Sequence, residues 1–445
     1  DDTITGGDGA DIITAGAGDD TITGGAGNDT ITMAGNLTAA DTIDGGEGSD
    51  TLNVTSVSAA TLAGVTNVET LAVTGASTVS LTTDLAFTTI DLSDASAQNL
   101  TFATGYTAAT TVNLGAAPGS DTIVNTAKIA LTIDSTDAGG MTSSVTITGS
   151  TATETLIVTA DASDAIDFTN ITLVDNLTIR DGSTSGDDVT VTLGAYATAL
   201  TIDASALNGT DEVLTVSGDT ATKALTITAG NGADQITGGA GNDTITLGAG
   251  ADVYNEFDGN DNVTGGAGND TFDVGDGQLT YLDTIDGGAG TDLIELNNTT
   301  AVTDVAFQNV TNVENITLDS GTGALTLGAY ASAAGIVKVT GIAAAVNTVS
   351  AAAMPTSLEI IAATSTGVDD ILTGGTGADT FVFSGTTGLE DGDAITGTSG
   401  ADVIQLNNTA GAVTAEADFD DIATVTNITV KDNDGGNATT AQAIG

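Results

Sequence analysis

The amino-acid sequence predicts an all-β fold, a right-handed parallel β-solenoid or β-roll in which glycine- and aspartate-rich blocks alternate with Thr/Ala-rich β-helix coils. Three observations lead to this prediction. A nine-residue pattern recurs in three blocks, short Thr/Val/Ile/Leu segments recur about every eleven residues after the first block, and aromatic residues make up only 3% of the chain. Stacked Ile, Val, Leu and Ala side chains can fill a thin coil, so this fold does not need the aromatic residues of a large globular core.

The nine-residue pattern is clearest in GGAGNDTIT at Gly24–Thr32, which returns unchanged at Gly238–Thr246 and as GGAGNDTFD at Gly265–Asp273. We number its positions as slots 1 to 9. The glycine-rich first slots permit tight turns with positive φ, and slots 7–9 predict a short strand whose central side chain points inward. Two nonapeptides make one coil, so aspartates eighteen residues apart, such as Asp11 and Asp29, stack on the same edge.

Slot 6 of the pattern holds Asp in every unit. Carboxylates stacked at the ~4.8 Å spacing of neighbouring strands would repel one another. A hard divalent cation, held by these carboxylates and by turn carbonyl oxygens, removes the repulsion, and ligation by oxygen alone suits Ca²⁺. The alternative, a solvated linker rich in Gly and Asp, does not explain a nine-residue register with an apolar residue always two positions after the Asp. The pattern therefore predicts multiple bound Ca²⁺ ions.

The predicted calcium ligands are the slot-6 carboxylates and the carbonyl groups of the turn glycines. Asp258 joins them because the nonapeptide EFDGNDNVT at Glu256–Thr264 loses its first two glycines, and Asp258 could substitute as a ligand. In the first block the ligands are Gly6, Gly7, Gly9, Asp11, Gly16, Gly18, Asp20, Gly24, Gly25, Gly27, Asp29, Asp41, Gly45, Gly46, Gly48 and Asp50. In the second they are Gly230, Gly232, Asp234, Gly238, Gly239, Gly241, Asp243, Gly248, Gly250, Asp252, Asp258, Asp261, Gly265, Gly266, Gly268, Asp270, Asp283, Gly287, Gly288, Gly290 and Asp292. In the third they are Asp370, Gly374, Gly375, Gly377, Asp379, Asp393, Gly397, Gly400 and Asp402.

Acidic residues far outnumber basic ones, with 60 Asp and Glu against 5 Lys and Arg and a net charge of −55. The basic residues lie outside the nonapeptides, so salt bridges cannot neutralise the acidic turns and a metal ion must. Without a basic patch, a nucleic-acid partner is disfavoured. The 40% share of hydrophobic residues argues against disorder, and no apolar run is long enough for membrane insertion.

The pattern divides the chain into six segments. Calcium blocks 1, 2 and 3 are residues 1–53, 229–297 and 367–408. A Thr-rich β-solenoid is predicted over 54–228, a Thr/Ala-rich one over 298–366, and a β segment over 409–445. Predicted strands of the first Thr-rich segment are Val79–Thr82, Thr89–Ser93, Ala130–Asp134, Ser144–Thr148, Thr155–Thr159, Asp188–Leu193, Ala199–Asp203 and Ala224–Thr228. A β-sandwich has similar strand spacing, but we favour a continued solenoid because the segment runs into calcium blocks at both ends without a linker.

A larger repeat lies behind the blocks. Each block is followed by a related strand, GVTNVETLAV at Gly64–Val73, NVTNVENITL at Asn309–Leu318 and ATVTNITV at Ala423–Val430. One unit, a calcium block plus Thr-rich coils, is therefore used about three times. The chain opens on the second half of a nonapeptide and ends inside the third copy, so we expect further sequence at both termini, including any targeting or anchoring segment.

Several kinds of chemistry are excluded by composition. The chain has no His and no Cys, which excludes imidazole bases, thiol nucleophiles and the usual zinc sites. It also has no G-x-S-x-G motif and no P-loop. Acidic pairs could serve a glycosidase, but the repeat already accounts for them and no Trp is present to stack on sugar rings. We therefore expect no enzyme activity in this chain.

The nonapeptide blocks resemble those of RTX (repeats-in-toxin) proteins, and their alternation with Thr/Ala-rich β segments free of His and Cys resembles RTX-type bacterial surface-layer (S-layer) proteins. The resemblance implies type I secretion in a poorly structured form and calcium-dependent folding outside the cell. It also implies calcium ligation by slot-6 aspartates such as Asp11, Asp20, Asp29, Asp243 and Asp270 together with loop carbonyls. Proteins of this family tile into a lattice of identical copies, anchored to cell-surface polysaccharide through a separate N-terminal region.

Three functions compete. The leading interpretation is a structural protein of a bacterial surface layer, which self-assembles at the cell surface when calcium binds. The second is the stalk or array of an RTX adhesin, which would show nearly identical tandem domains and a distinct ligand-binding insert. The third is the secretion and folding module of an exported hydrolase, which would contain little besides nonapeptides.

Overall fold

The computed structural model describes residues 1–55, 57, 61–75, 78–82, 87–93, 97–114, 121–135, 145–160, 163–182, 186, 188–196, 198–255, 257–319, 323–341, 347–362, 369–384, 389, 392–408, 421–432 and 439–441. Parts of some predicted elements lie outside the described residues: Ser144 of one strand, Glu256 of the degenerate nonapeptide, and residues 367–368, 409–420, 433–438 and 442–445 of the last two segments. The chain divides into two compact units, Asp1–Gly232 and Ala233–Gly445. Their boundary falls inside the predicted segment 229–297, and the six-segment division stays a prediction.

Where the structure describes the first unit, it is built from short strands and a 3-10 turn at Phe168–Asn170. Its strands are β1 Thr3–Asp8, β2 Ile12–Thr14, β3 Thr21–Ala26, β4 Thr30–Ala34, β5 Thr42–Glu47, β6 Thr51–Val54, β7 Val65–Thr66, β8 Thr70–Val73, β9 Thr78–Leu81, β10 Thr89–Asp91, β11 Asn99–Phe102, β12 Thr110–Asn113, β13 Thr122–Asn125, β14 Leu131–Ser135, β15 Thr146–Thr148, β16 Glu154–Ala160, β17 Ser163–Asp167, β18 Ile171–Thr172, β19 Asn176–Asp181, β20 Asp188–Thr192, β21 Leu200–Asp203, β22 Leu214–Ser217 and β23 Leu225–Thr228.

The described residues of the second unit add a 3-10 turn at Asp304–Phe307 and a short helix, α1 at Ala329–Ala334. Its strands are β24 Gln235–Thr237, β25 Thr244–Ala249, β26 Val253–Asn255, β27 Asn262–Ala267, β28 Thr271–Gly275, β29 Thr284–Ala289, β30 Leu293–Asn297, β31 Val310–Thr311, β32 Asn315–Leu318, β33 Ala324–Thr326, β34 Lys338–Thr340, β35 Thr348–Ser350, β36 Glu359–Ile361, β37 Ile371–Thr373, β38 Thr380–Ser384, β39 Ala394–Thr396, β40 Val403–Asn408, β41 Ile422–Ala423, β42 Asn427–Asp432 and β43 Thr439–Ala441. Among the described residues, no helix is long and apolar enough to cross a membrane.

Within each unit, a strand pairs with the strand one coil further along rather than with its sequence neighbour, except that β42 pairs with β43. Strand order in the first unit is β1-β3-β5-β7, β2-β4-β6-β8-β10-β12-β14-β16-β19-β21-β23, β9-β11-β13-β15-β18 and β17-β20-β22. In the second it is β25-β27-β29-β31, β24-β26-β28-β30-β32-β34-β36-β38-β40-β42-β43 and β33-β35-β37-β39-β41. The pairings are parallel, apart from an antiparallel contact of β42 with β43. The predicted parallel β-solenoid is therefore confirmed, including in the Thr-rich segment where a sandwich was the alternative.

The core is a stack of slot-8 side chains. Ile31 of β4 pairs with Ile13 of β2 and Leu52 of β6, and Ile31 and Leu52 are fully buried. The flanking Thr30 and Thr32 are half-buried. One difference from the sequence prediction concerns strand length. Strand β3 continues to Ala26 because Gly25 and Ala26 still pair with strands β1 and β5 of the coils on either side.

Candidate calcium sites

The slot-6 aspartates form ladders along the edges of the coils. The backbone N–H of Asp11 donates to Oδ1 of Asp29 over 2.8 Å, and the N–H of Asp29 donates to Oδ1 of Asp50 over 2.8 Å. We call such a series of N–H to carboxylate bonds a carboxylate ladder. The same bond joins Asp2 to Asp20, Asp20 to Asp41, Asp234 to Asp252, Asp243 to Asp261, Asp252 to Asp270, Asp261 to Asp283, Asp270 to Asp292, Asp370 to Asp393 and Asp379 to Asp402. The predicted stacking of these aspartates is confirmed.

Most ladder carboxylates are buried. The exposed fraction is 3% or less for Asp20, Asp29, Asp41, Asp50, Asp234, Asp243, Asp252, Asp261, Asp270, Asp283, Asp292, Asp370, Asp379, Asp393 and Asp402. Asp11 is half-buried. Asp258 is exposed on its turn, and none of the described hydrogen bonds places it in a ladder. Burying a carboxylate is costly unless its charge is compensated, so the ladders need a source of positive charge.

The second carboxylate oxygen of several ladder residues points at a slot-1 glycine. A methyl group built on Gly24 would collide with Oδ2 of Asp29 and with the carbonyl oxygen of Gly45 in the next coil. Oδ2 of Asp29 is buried and has no hydrogen-bond partner. A buried anionic oxygen and a carbonyl oxygen thus converge where the absent side chain leaves space. We call this arrangement a glycine cradle.

Glycine cradles recur in all three blocks. Each consists of a slot-1 glycine, its slot-6 carboxylate and a carbonyl oxygen of the next coil. They are Gly6 with Asp11 and Gly24, Gly24 with Asp29 and Gly45, Gly45 with Asp50 and Asn67, Gly265 with Asp270 and Gly287, Gly287 with Asp292 and Asn312, Gly374 with Asp379 and Gly397, and Gly397 with Asp402 and Thr424. Oδ2 lacks a hydrogen-bond partner in six of them, at Asp11, Asp29, Asp50, Asp270, Asp292 and Asp402.

The donor set of a cradle fits calcium. It offers only oxygen ligands, one of them an anionic oxygen that no protein N–H or O–H satisfies, and Ca²⁺ prefers carboxylate and carbonyl oxygens in flexible geometry. Among the described residues no group of three or more His, Cys, Asp or Glu side chains lies close enough to hold one metal ion. Calcium would therefore be held by one or two carboxylates together with backbone carbonyls.

Burial also shifts the titration of the ladder carboxylates. It raises the pKa of Asp252 and of Asp261 to about 7, and it raises the pKa of Asp50, Asp270 and Asp292 above the ordinary aspartate range. Desolvation is the main cause in each case, and neighbouring carboxylates add to it. The charged form of these ladder carboxylates is therefore disfavoured unless a bound cation compensates the charge. A Ca²⁺ ion would supply that compensation.

Besides Asp261, whose Oδ2 accepts the Tyr254 hydroxyl group over 3.3 Å, three predicted ligands have protein donors on both carboxylate oxygens among the described hydrogen bonds. Oδ2 of Asp41 accepts the N–H of Thr38 over 2.7 Å, and Oδ2 of Asp283 accepts the N–H of Thr280 over 2.7 Å. Oδ2 of Asp379 accepts the N–H of Gly375 over 2.6 Å. The first two donors belong to insertions that interrupt the nine-residue register. These carboxylates have a smaller need for a cation than Asp29 has.

The predicted turn glycines serve a second purpose besides offering carbonyl groups. Gly25 in slot 2 and Gly27 in slot 4 have φ of 123° and 122°, which L side chains rarely adopt. Positive φ is shared by Gly7, Gly9, Gly18, Gly46, Gly48, Gly239, Gly248, Gly250, Gly266, Gly268, Gly288, Gly290 and Gly400. It is not found at Gly16, Gly230, Gly232, Gly241, Gly375 or Gly377. At the cradles, slot 1 therefore requires glycine for space, and slots 2 and 4 mostly require it for backbone conformation.

Sequence reasoning missed the residues that close each block. The carbonyl groups completing the last cradles belong to Asn67, Asn312 and Thr424, all in left-handed conformation with φ of 52°, 52° and 55°. Next to them, the Glu69 and Glu314 carboxylates accept the N–H groups of the last ladder aspartates over 2.8 and 2.9 Å. The signal was the VTNVE motif that returns after the first two blocks. The sequence alone shows that it repeats but not that it caps a ladder.

Segments of the three nonapeptide blocks match a known family model. Residues 1–31, 38–54, 226–254, 257–278, 280–298 and 365–383 match the family model described as RTX calcium-binding nonapeptide repeat, in four copies. The chain carries RTX calcium-binding repeats. The matched residues include the slot-1 glycine and the slot-6 aspartate of six of the seven glycine cradles, and the seventh pair, Gly397 and Asp402, follows the last matched segment. No curated protein matches the chain significantly.

Proposed function

We propose that the glycine cradles bind several Ca²⁺ ions and that this binding folds the RTX blocks. The supporting observation is the buried Oδ2 of Asp29, which has no protein donor and faces the Gly45 carbonyl oxygen. The same arrangement in both units supports more than one ion per chain. Because the ligands are deprotonated carboxylates, calcium supplies the charge compensation that five basic residues cannot.

We further propose that the chain is a structural protein of a bacterial surface layer, exported by type I secretion and assembled into a lattice of identical copies outside the cell. RTX repeats are typical of proteins that type I systems export, which supports an extracellular location. A chain with a net charge of −55 can pack against copies of itself only when cations screen or bridge its carboxylates. We expect no enzyme activity, and any attachment to surface polysaccharide would involve a region other than these residues.

A calcium titration tests this proposal. The chain is taken from excess chelator to several millimolar free calcium while far-UV circular dichroism and light scattering are followed together, with negative-stain microscopy at the endpoint. We expect β-structure and large ordered sheets to appear with calcium. Folding without assembly would contradict the lattice proposal and favour an adhesin stalk. A chain that is equally folded in chelator would contradict the calcium proposal itself.

A further inference from the structure

Tyr254 disturbs the pattern in the middle of the second block. It occupies slot 8, where the coil below has Ile236 and the coil above has Phe272. Its ring is fully buried, and its hydroxyl group crosses the coil interior to donate to Oδ2 of Asp261 over 3.3 Å. The paired residues Ile236 and Phe272 have no polar side-chain atom that could reach across the core.

The hydroxyl oxygen of Tyr254 lies inside what would otherwise be a glycine cradle. A methyl group built on Gly238 would collide with Oδ2 of Asp243, 2.5 Å away, and with the Tyr254 hydroxyl. At Gly24 and Gly265 the second collision is with a carbonyl oxygen of the next coil. At Gly238 a phenol oxygen lies in this space, and the residue at the corresponding position of the next coil, Glu256, lies outside the described residues.

The neighbouring turn, like Tyr254, departs from the nonapeptide pattern. Slot 2 of the next nonapeptide is Phe257 instead of glycine, and this ring is fully buried. The rings of Phe257 and Tyr254 pack edge to face, with centroids 4.7 Å apart and planes at 87°. An aromatic pair therefore fills the space between the Asp243 and Asp261 turns that glycines leave open elsewhere.

We propose that Tyr254 excludes calcium from the Asp243 cradle, its hydroxyl group taking the place of the ion between two ladder carboxylates. This inference rests on the proposed calcium cradles and identifies one nonapeptide of consensus sequence, Gly238–Thr246, that does not bind. A phenol is protonated at neutral pH, so the Tyr254 hydroxyl group can act as a donor to Asp261.

The test counts calcium ions per chain by metal analysis after dialysis against one fixed free calcium concentration. Tyr254→Phe removes only the oxygen, and Phe272 shows that this ring fits slot 8. We expect Tyr254→Phe to bind one more ion than the wild type, and the added Asp243→Asn substitution to remove that ion again. Asp243→Asn alone should leave the wild-type count unchanged, whereas Asp29→Asn should lower it by one.

The outcomes separate the two proposals. If Asp29→Asn loses an ion but Tyr254→Phe gains none, Tyr254 does not exclude calcium and only this inference is overturned. Loss of an ion from Asp243→Asn alone overturns it as well. A wild-type chain that binds no calcium overturns the proposed function and this inference together. Should Tyr254→Phe lose its far-UV β signal, Tyr254→Ile, which repeats the side chain of Ile236 in the coil below, decides by the same count.

Discussion

The coil edge at Asp29 in the first block and the edge at Glu154 in the Thr-rich coils have the same backbone design. The N–H of Asp29 donates to Asp50, and the N–H of Glu154 donates to Oδ2 of Asp175 over 2.9 Å. Both carboxylates follow a glycine that faces a carbonyl oxygen of the next coil, that of Leu173 in the case of Gly149. The Thr-rich coils are therefore the same solenoid with a changed edge.

The two edges differ in the donors that reach the buried acid. Oε1 of Glu154 accepts from Asn125 Nδ2 over 2.7 Å and from the Ser150 N–H over 2.8 Å and hydroxyl group over 2.5 Å. Oδ1 of Asp29 receives only the ladder N–H of Asp11. The second oxygen of each acid, Oδ2 of Asp29 and Oε2 of Glu154, is buried without a hydrogen-bond partner, so the difference lies in the number of donors on the first oxygen. A buried acid at this edge can be stabilised by protein donors or by a cation. The glycine and the acid are five residues apart in both turns, so the difference lies in the side chains of Ser150 and Asn125 and not in turn length.

Filling a cradle should have the largest effect. We expect Gly24→Ala to lose one bound calcium and to destabilise the chain by about 1–3 kcal/mol, because the new methyl group overlaps Oδ2 of Asp29 and a backbone oxygen. Gly16→Ala is the matched control, since a methyl group at Gly16 meets nothing within 4 Å. Urea denaturation in calcium and metal analysis measure both effects. Equal behaviour of the two variants would rule out the cradle as a binding site.

Neutralising one acid from each edge should separate their roles. Asp29→Asn keeps the Oδ1 acceptor but removes the charge, so the calcium concentration at the folding midpoint should rise roughly tenfold or more. Glu154→Gln should leave that midpoint unchanged, because Glu154 is stabilised by Asn125 and Ser150. The midpoints are read by circular dichroism. If both variants shift the midpoint equally, the distinction between the two kinds of edge is wrong.

The pH dependence of folding stability, measured in chelator, should report on buried aspartates of the second block whose charge no cation compensates. Because burial raises the pKa of Asp252 and Asp261 to about 7, their protonated forms favour the folded state. Their contribution to stability is complete below about pH 4, the pKa of an ordinary aspartate, and is lost as the pH rises through 7. We expect a higher urea midpoint at pH 5 than at pH 8. The double variant Asp252→Asn/Asp261→Asn should flatten this difference, and an unaltered pH profile would contradict the assignment.

The smallest expected effect concerns Thr398, which stands in slot 2 of the third block in the left-handed region with φ of 73°. A β-branched residue there costs about 1–3 kcal/mol, partly offset by the hydrogen bond of its hydroxyl group to the Gly375 carbonyl oxygen. Thr398→Gly should therefore stabilise the chain by about 1 kcal/mol or less in calcium. The reverse change at slot 2 of the first block, Gly25→Thr, should destabilise it. A lower urea midpoint for Thr398→Gly would show that the hydroxyl contact matters more than the backbone strain.

The sequence was sufficient to predict the structural features that follow directly from a strict nine-residue repeat. The parallel pairing, the inward slot-8 residue such as Ile31 and the stacking of Asp11 on Asp29 are direct consequences of the nine-residue period. It did not predict features that depend on a single side-chain conformation. The hydroxyl group of Tyr254 reaches across a core that a pattern treats as apolar, and the Thr38 N–H satisfies Asp41 only because of how an insertion folds. The helix Ala329–Ala334 was also not foreseen, since the segment that contains it, Leu325–Ala334, closely parallels Val191–Leu200, whose described residues form no helix.

Hydrogen exchange followed by mass spectrometry, with and without chelator, tests the central claim most directly. Strands Thr21–Ala26 and Thr30–Ala34 lie in coils whose buried carboxylates need a cation, whereas Glu154–Ala160 and Asn176–Asp181 lie beside protein donors. Chelation should remove the protection of backbone N–H groups from exchange in the first pair of strands and leave most of that protection in the second pair. Equal protection of all four strands with and without calcium would contradict a calcium-dependent fold for the RTX blocks.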